Sequence, residues 1–160
     1  MVNQYLSDMQ NEGQLEFQPV DRKSFMYSLT EKGSSDGRDM MEDYCTEMVQ
    51  AYASIKELIK RKLESFEERG IRRIALFGAA ETCELTLAAL EGSQFEIAGI
   101  LDNAPQKQGK TFHDHMILAP AALADLEVEA IVITSFAQQD DIFKQLVSIP
   151  SAANREIIRL

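Results

Sequence analysis

The spacing of apolar residues changes rhythm at Gly70. In the opening stretch "VNQYLSDMQNE", Val2, Tyr5, Leu6 and Met9 fall at helical spacing, and Gly13 fits a helix stop. This predicts a helix over 2–12. "LEFQPV" and "SFMYSL" alternate or carry β-formers, and "QPVDRK" between them holds turn residues, which predicts a two-stranded ribbon. "EKGSSDG", residues 31–37, reads as a polar break. From Asp39 to Arg69, Met41, Tyr44, Met48, Tyr52, Ile55, Ile59, Leu63 and Phe66 recur every three or four positions, with no Gly or Pro until Gly70. A helix of about 30 residues is roughly 45 Å long. A single apolar stripe on so long a helix packs against a second chain or bridges two modules. A homodimer through residues 39–69 is the first expectation, and packing within one chain is the other.

After Gly70 the apolar residues come in short unbroken runs. "RRIALFG", "FEIAGILD" and "EAIVITSF" read as buried strands. They are separated by helical stretches, "ETCELTLAALEG", the short "AALADL" and "QQDDIFKQLVS", and "REIIRL" forms a last strand. Strands that are apolar throughout and alternate with helices signal a parallel sheet covered on both faces. The fold class is therefore α/β. A small Rossmann-like module over 71–160 follows a helix-plus-ribbon segment over 1–37 and a long linking helix over 38–70.

Composition narrows the function classes. Hydrophobic residues make up 45% of the 160 and charged residues 26%, enough to build a core. A net charge of −10 argues against non-specific binding to nucleic acid or anionic membrane. The two cysteines, Cys45 and Cys83, lie in different segments and read as reduced thiols of a cytoplasmic protein. No run of about 18 apolar residues suggests a membrane span, and the N-terminus lacks signal-peptide character.

Candidate chemistry centres on "LFGAAETCELT", which follows the first buried strand. A dinucleotide fingerprint reads G-x-G-x-x-G; these positions hold Gly78, Ala80 and Cys83. Ligands of such sheets sit outside the carboxyl ends of the strands. There the helix start presents free amides near Ala79, Ala80, Glu81 and Thr82, which favour an anion. Glu81 opposes a phosphate by its charge. Asp102 ends the second strand, at the distance from Gly78 where a carboxylate can accept hydrogen bonds from ribose hydroxyls. Lys107 and Lys110 occupy the loop beyond it, and Ser135 and Phe136 end the third strand on the same rim. A strand-to-helix turn with no ligand is the alternative reading of all these residues.

Between Ile74 and Leu146, the glycine turn, the strand ending in Asp102, the "KQGK" loop, the "APAAL" helix and the "IVITSF" strand resemble Rossmann-like modules of bacterial surface-sugar pathways. Such modules form the N-terminal domain of nucleotide-sugar acetyltransferases and the N-terminal region of polysaccharide-biosynthesis epimerases. The resemblance implies a nucleotide sugar or an NAD-like nucleotide as ligand. It places Gly78 to Thr82 on phosphates and Asp102 with Asn103 on ribose or base. Ala80 and Cys83 depart from the pattern.

Residues 2–33, ending "YSLTEKG", resemble the second half of a MarR-like winged helix-turn-helix domain. That resemblance sets Asn3, Gln4 and Ser7 toward a major groove and Arg22 and Lys23 against phosphates. A complete winged helix needs about two further helices before the recognition helix, so DNA is a partner only if that domain is completed. The segment from Met1 to Met40 carries more acidic than basic side chains, a weak footprint for DNA. Winged helix, long helix and Rossmann-like sensor together resemble the layout of Rex redox repressors. The combined expectation is a ligand-sensing regulator. An accessory domain or enzyme subunit of sugar-nucleotide metabolism, or a dimerisation module without ligand, are the alternatives. No catalytic or metal constellation stands out; His113 and His115 form an H-x-H on a hairpin or strand, and Cys83 lies at a helix start.

Overall fold

The computed structural model describes residues 2–21 and 24–160 and falls into two compact units, 1–51 and 52–160. In the first unit, helix α1 (Val2–Asn11) leads through Gly13 into an antiparallel ribbon of β1 (Leu15–Pro19) and β2 (Phe25–Leu29). The register sets Phe17 opposite Tyr27, their rings edge-on at 4.9 Å. Helix α2 (Glu31–Glu68) then begins in this unit and runs into the second.

Helix α2 starts earlier than the sequence pattern suggests, at Glu31 and not near Asp39. The segment 31–37 is its first two turns, not a break. Two local interactions account for this. Thr30 Oγ1 accepts the amide of Gly33 at 2.9 Å, an N-cap bond to the third helical residue. Gly33 also lies where a Cβ would sit 2.0 Å from the Gln14 carbonyl oxygen, so the corner after α1 comes closer to the helix than any side chain allows. Gln14 Nε2 donates to Asp36 Oδ2 at 2.8 Å across the same corner. Leu15 is the one hydrophobic residue of this unit that is buried among the described residues.

The second unit is built on a six-stranded sheet in the order β5-β6-β4-β3-β7-β8. Its strands are β3 (Arg73–Phe77), β4 (Glu96–Leu101), β5 (Thr111–Phe112), β6 (His115–Leu118), β7 (Ala130–Ile133) and β8 (Glu156–Arg159). All pairings are parallel except β5 with β6. Along β3, Ile74 and Leu76 face a core that includes Ile59 and Leu63 of α2 and Ala89 of α3 (Glu81–Leu90). Ala75 and Phe77 face the opposite core, with Ile142 and Leu146 of α4 (Gln139–Ser148). Both faces are covered, which is why these strands read as unbroken apolar runs. The fold class is α/β with a Rossmann-like sheet, as the sequence predicts.

Three further details refine the sequence reading, which left a hairpin or a strand open for His113 and His115. "AALADL" yields a 3₁₀ turn over Pro120–Ala124 rather than an α-helix. The loop after β4 contains the short β5–β6 hairpin. His113 and Asp114 form its turn with φ of 45° and 65°, so His113 and His115 do not share one strand face. Ile59 and Leu63 are buried in the module core, with Ile55 and Phe66 packed against it. The part of the 39–69 stripe from Ile55 onward is thus used within the chain.

The two glycines of the first α2 turns give a direct contrast. Gly33→Ala is expected to destabilise the first unit by about 2 kcal/mol or more, because the clash is with backbone. Gly37→Ala, which meets nothing within 4 Å, should stabilise it by about 0.5–1 kcal/mol. Urea unfolding followed by helical circular dichroism measures both.

Candidate functional site

The carboxyl ends of β3, β4 and β7 form one rim. Gly78 leaves β3 with φ 113°, a conformation that favours glycine. Its amide donates to the Leu101 carbonyl at 2.7 Å, and its own carbonyl accepts from Thr134 Oγ1 at 2.7 Å. A Cβ there would lie 3.1 Å from the Thr134 oxygen. Conformation and space both disfavour a side chain.

The next amide, of Ala79, donates to Asp102 Oδ2 at 2.8 Å. Asp102 Oδ1 accepts the Ala104 amide at 2.8 Å. Lys107 Nζ donates to the Ala79 carbonyl at 2.8 Å and pairs with Asp102 Oδ2 at 3.1 Å. Gln108 Nε2 closes the loop onto the Asp102 carbonyl at 2.9 Å. Burial raises the pKa of Asp102, but the two amides and the lysine outweigh it and hold the carboxyl below its ordinary 3.8. This ion therefore stabilises the fold above that value, and the contribution is lost as pH falls through the lowered pKa.

Helix α3 begins at Glu81 with Ala80 in extended backbone and no side-chain cap. The first amide of this turn to find a helical acceptor is Cys83, which donates to the Ala80 carbonyl at 2.8 Å. Among the described residues, the amides of Ala80, Glu81 and Thr82 have no acceptor. They form an uncapped helix start, one residue after the Ala79 carbonyl that holds the Lys107 ammonium. Glu81 is exposed.

Cys83 fills the place of the third fingerprint glycine and is fully buried. Burial pushes its thiol up to about 11, against the opposing hydrogen bond with Thr134. It packs beneath the turn and is no activated nucleophile. Ser135 Oγ accepts the Gln138 amide at 3.3 Å, and Phe136 is about half exposed. Asn103 turns toward α4, where its carboxamide pairs with Gln145 through bonds of 2.8 and 2.9 Å.

The structure thus brings Gly78 to Thr82, Asp102, Lys107 and Ser135 together. It spends Asp102 on backbone amides and Asn103 on a neighbouring side chain. Thr134 and Gln145 belong to the rim but were not singled out by the sequence reading. Thr134 carries a signal, the first polar residue after four buried apolar ones in "AIVIT". Gln145 carries none, since it is one polar helical residue among several. A concavity of about 560 Å³ lies at the opposite end of the sheet, between α2 and the end of α3. Glu64, Glu67, Glu68 and Glu91 line it with Lys60 and Arg72, an acidic excess that disfavours a phosphate. Among the described residues, no group of three or more His, Cys, Asp or Glu could hold a metal ion, and no helix is long and apolar enough to cross a membrane. Asn3, Gln4 and Ser7 are exposed on α1, with Gln4 donating to Asp8 at 3.1 Å. Arg22 and Lys23 lie outside the described residues.

The family model described as C2185-like, N-terminal, matches residues 70–158, more than half of the chain. The chain belongs to the C2185-like family. The C2185-like match begins at Gly70, just after α2, and takes in the sheet up to the last residue of β8. No curated protein matches the sequence. Among solved structures, UDP-D-quinovosamine 4-dehydrogenase from Vibrio fischeri is 17% identical over 56% of this chain and 78% of its own, with a TM-score of 0.46. RSP, a Rex-family repressor, is 13% identical over 99% of this chain and 82% of its own, with a TM-score of 0.43. RSP in complex with β-NAD+ and operator DNA is 12% identical over 56% of this chain and 51% of its own, with a TM-score of 0.40. A MarR-like domain is not among the matches described.

The buried and exposed cysteines separate cleanly in a thiol titration. At pH 8, Ellman's reagent is expected to leave the buried Cys83 of the native chain unmodified and to reach it only after unfolding. Modification of Cys83 in the folded protein would contradict its placement.

Proposed function

We propose that the C2185-like module binds the phosphate-bearing part of a nucleotide or nucleotide sugar at the Gly78–Thr82 turn. The observation that carries this is the uncapped start of α3: three amides without acceptors at the carboxyl end of a parallel strand, in a turn whose Ala79 carbonyl accepts the Lys107 ammonium. Open amides and the helix dipole favour an anion there, and Lys107 adds charge of the right sign. Gly78, Ala79, Ala80, Glu81 and Thr82 form the phosphate side of the proposed site. Asp102 is its floor, and Asn103, Lys107, Ser135 and Phe136 are its walls.

The wider reading is a cytoplasmic, ligand-sensing, transcription-regulator-like protein, with surface polysaccharide control as its setting by resemblance. Asn3, Gln4, Ser7, Arg22 and Lys23 would meet DNA within a completed winged helix. A specific observation favours a second reading, a module without ligand: Asp102, Lys107 and Ala79 already satisfy one another. A thermal-shift panel of uridine and guanosine diphosphate sugars, NAD, NADH, coenzyme A and S-adenosylmethionine decides between them. Binding to the folded state alone raises the melting temperature, by an amount set by ligand concentration over Kd. A selective rise supports the site, whereas no shift at millimolar ligand leaves the turn as scaffold.

Self-association through α2 completes the reading. Within the first unit, Met40, Met41, Tyr44, Met48 and Val49 each have half or more of their surface free. On the helix they occupy one broad face, while Asp39, Glu42, Asp43 and Glu47 lie on the other side. The proposed occupant of that face is a second copy of the chain. Analytical ultracentrifugation should give a dimer for the wild type and a monomer for Met48→Glu, with Asp43→Ala unchanged. A monomeric wild type at tens of micromolar would end this part of the reading.

A further inference from the structure

A heptad seam runs along α2. Met40, Tyr44, Glu47, Ala51, Ser54 and Leu58 follow one another at alternating steps of four and three residues within the continuous helix Glu31–Glu68. That spacing keeps side chains in line along a helix that pairs with another helix. All six are exposed, Met40 by 72%, Tyr44 by 57% and Leu58 by 62%. Arg61 and Lys62 continue the line at its end and are exposed as well. Ile59 and Leu63, one position beyond Leu58 and Lys62, are the residues buried in the module core. Neighbouring helical positions lie about 100° apart, so the C-terminal end of the seam stands clear of that core.

We propose that two copies of the chain pair through this seam with their α2 helices antiparallel. The pairing rests on the reading of self-association through α2 and adds its direction.

Charge decides the direction. Residues 36–50 hold five acidic side chains and one basic, whereas residues 51–62 hold four basic and one acidic. Parallel helices in register would set each half against its own like, with Glu47 opposite the partner's Glu47 on the seam itself. Like charges directly opposed across an interface are costly. Antiparallel helices that cross near Ser54 bring Glu47 beside the partner's Arg61 and Lys62, and the two-fold axis makes that contact twice. Arg61 also meets Glu57 of its own helix at 2.9 Å, an exposed pair of the kind that competes weakly. Tyr44 and Leu58 supply apolar surface to either side, and the small Ala51 and Ser54 at the crossing let the backbones come close. The partner that fits such a seam is the chain itself turned end for end, because one end carries the charge that the other lacks.

Two measurements on the full chain test this. In a Cys45→Ser, Asp39→Cys variant, a spin label at position 39 reports the distance between copies by pulsed electron resonance. An antiparallel pair crossing near Ser54 places the labels about 40–50 Å apart, at 1.5 Å per helical residue. A parallel pair, with helix axes about 10 Å apart, brings them within about 25 Å. In analytical ultracentrifugation, Glu47→Lys and Lys62→Glu should each weaken the dimer about tenfold, since each opposes like charges at two contacts. An equal mixture of the two variants should regain the wild-type affinity, as should the double variant, which a loss of folding would not allow. In a parallel dimer neither single variant weakens association, because like already faces like. A dimer with the short label distance, or with single variants that pair as tightly as the wild type, or with no recovery in the mixture, overturns the antiparallel assignment and leaves self-association standing. A wild type that is monomeric at tens of micromolar overturns both.

Discussion

Everything at the rim depends on how closely three strands approach at Gly78. The amide of this residue is held by β4 through Leu101, and its carbonyl by Thr134 at the end of β7. One residue is thus stitched to both neighbours through its two flanking peptides, at a φ that disfavours a Cβ. Because this anchor is fixed, the Ala79 amide points at Asp102, α3 starts without a cap, and Cys83 drops into the core instead of facing solvent. The uncapped start of α3 follows from this packing, with Ala80 and Cys83 standing where a dinucleotide fingerprint has glycine.

Ala80 and Cys83 mark what the fingerprint glycines do and do not supply. Ala80 is in extended backbone with φ −148°, which any residue adopts, so glycine is not required there. Cys83 is small enough to bury completely between helix and sheet. Gly78 is different, because its backbone and its distance to Thr134 both call for glycine. A motif search that weights three glycines equally misjudges such a turn, since one position is a conformational demand and two are matters of volume.

Much of the fold was legible from the sequence because parallel strands buried on both faces must be apolar at every position. "RIALF" and "AIVI" contain no polar residue after Arg73, a pattern that fits neither a half-exposed strand nor an amphipathic helix. The start of α2 was not legible, because Gly, Ser and Asp signal a break unless their partners are known. Thr30 as cap and the Gln14 carbonyl against Gly33 are contacts that local pattern cannot supply. The same limit holds at the rim. Gly78, Asp102 and Lys107 were recognisable as residue types at suggestive spacing, but their mutual bonding depends on where the loop beyond β4 returns. The His113–Asp114 turn stayed hidden because neither residue is a glycine, although both adopt positive φ.

The strand order carries a consequence for how the chain is made. β3 is the first strand of its sheet to be synthesised, yet it ends between β4 and β7. Its β7 neighbour emerges only after α3, β4, the β5–β6 hairpin and the 3₁₀ turn have all been made. Ribosomes add about 5–20 residues per second, so for several seconds one edge of a strand that is apolar from Ile74 to Phe77 has no neighbour. Until β7 arrives, that edge of β3 is open to mispairing with any other strand, so the order of synthesis sets the interval in which the sheet is exposed.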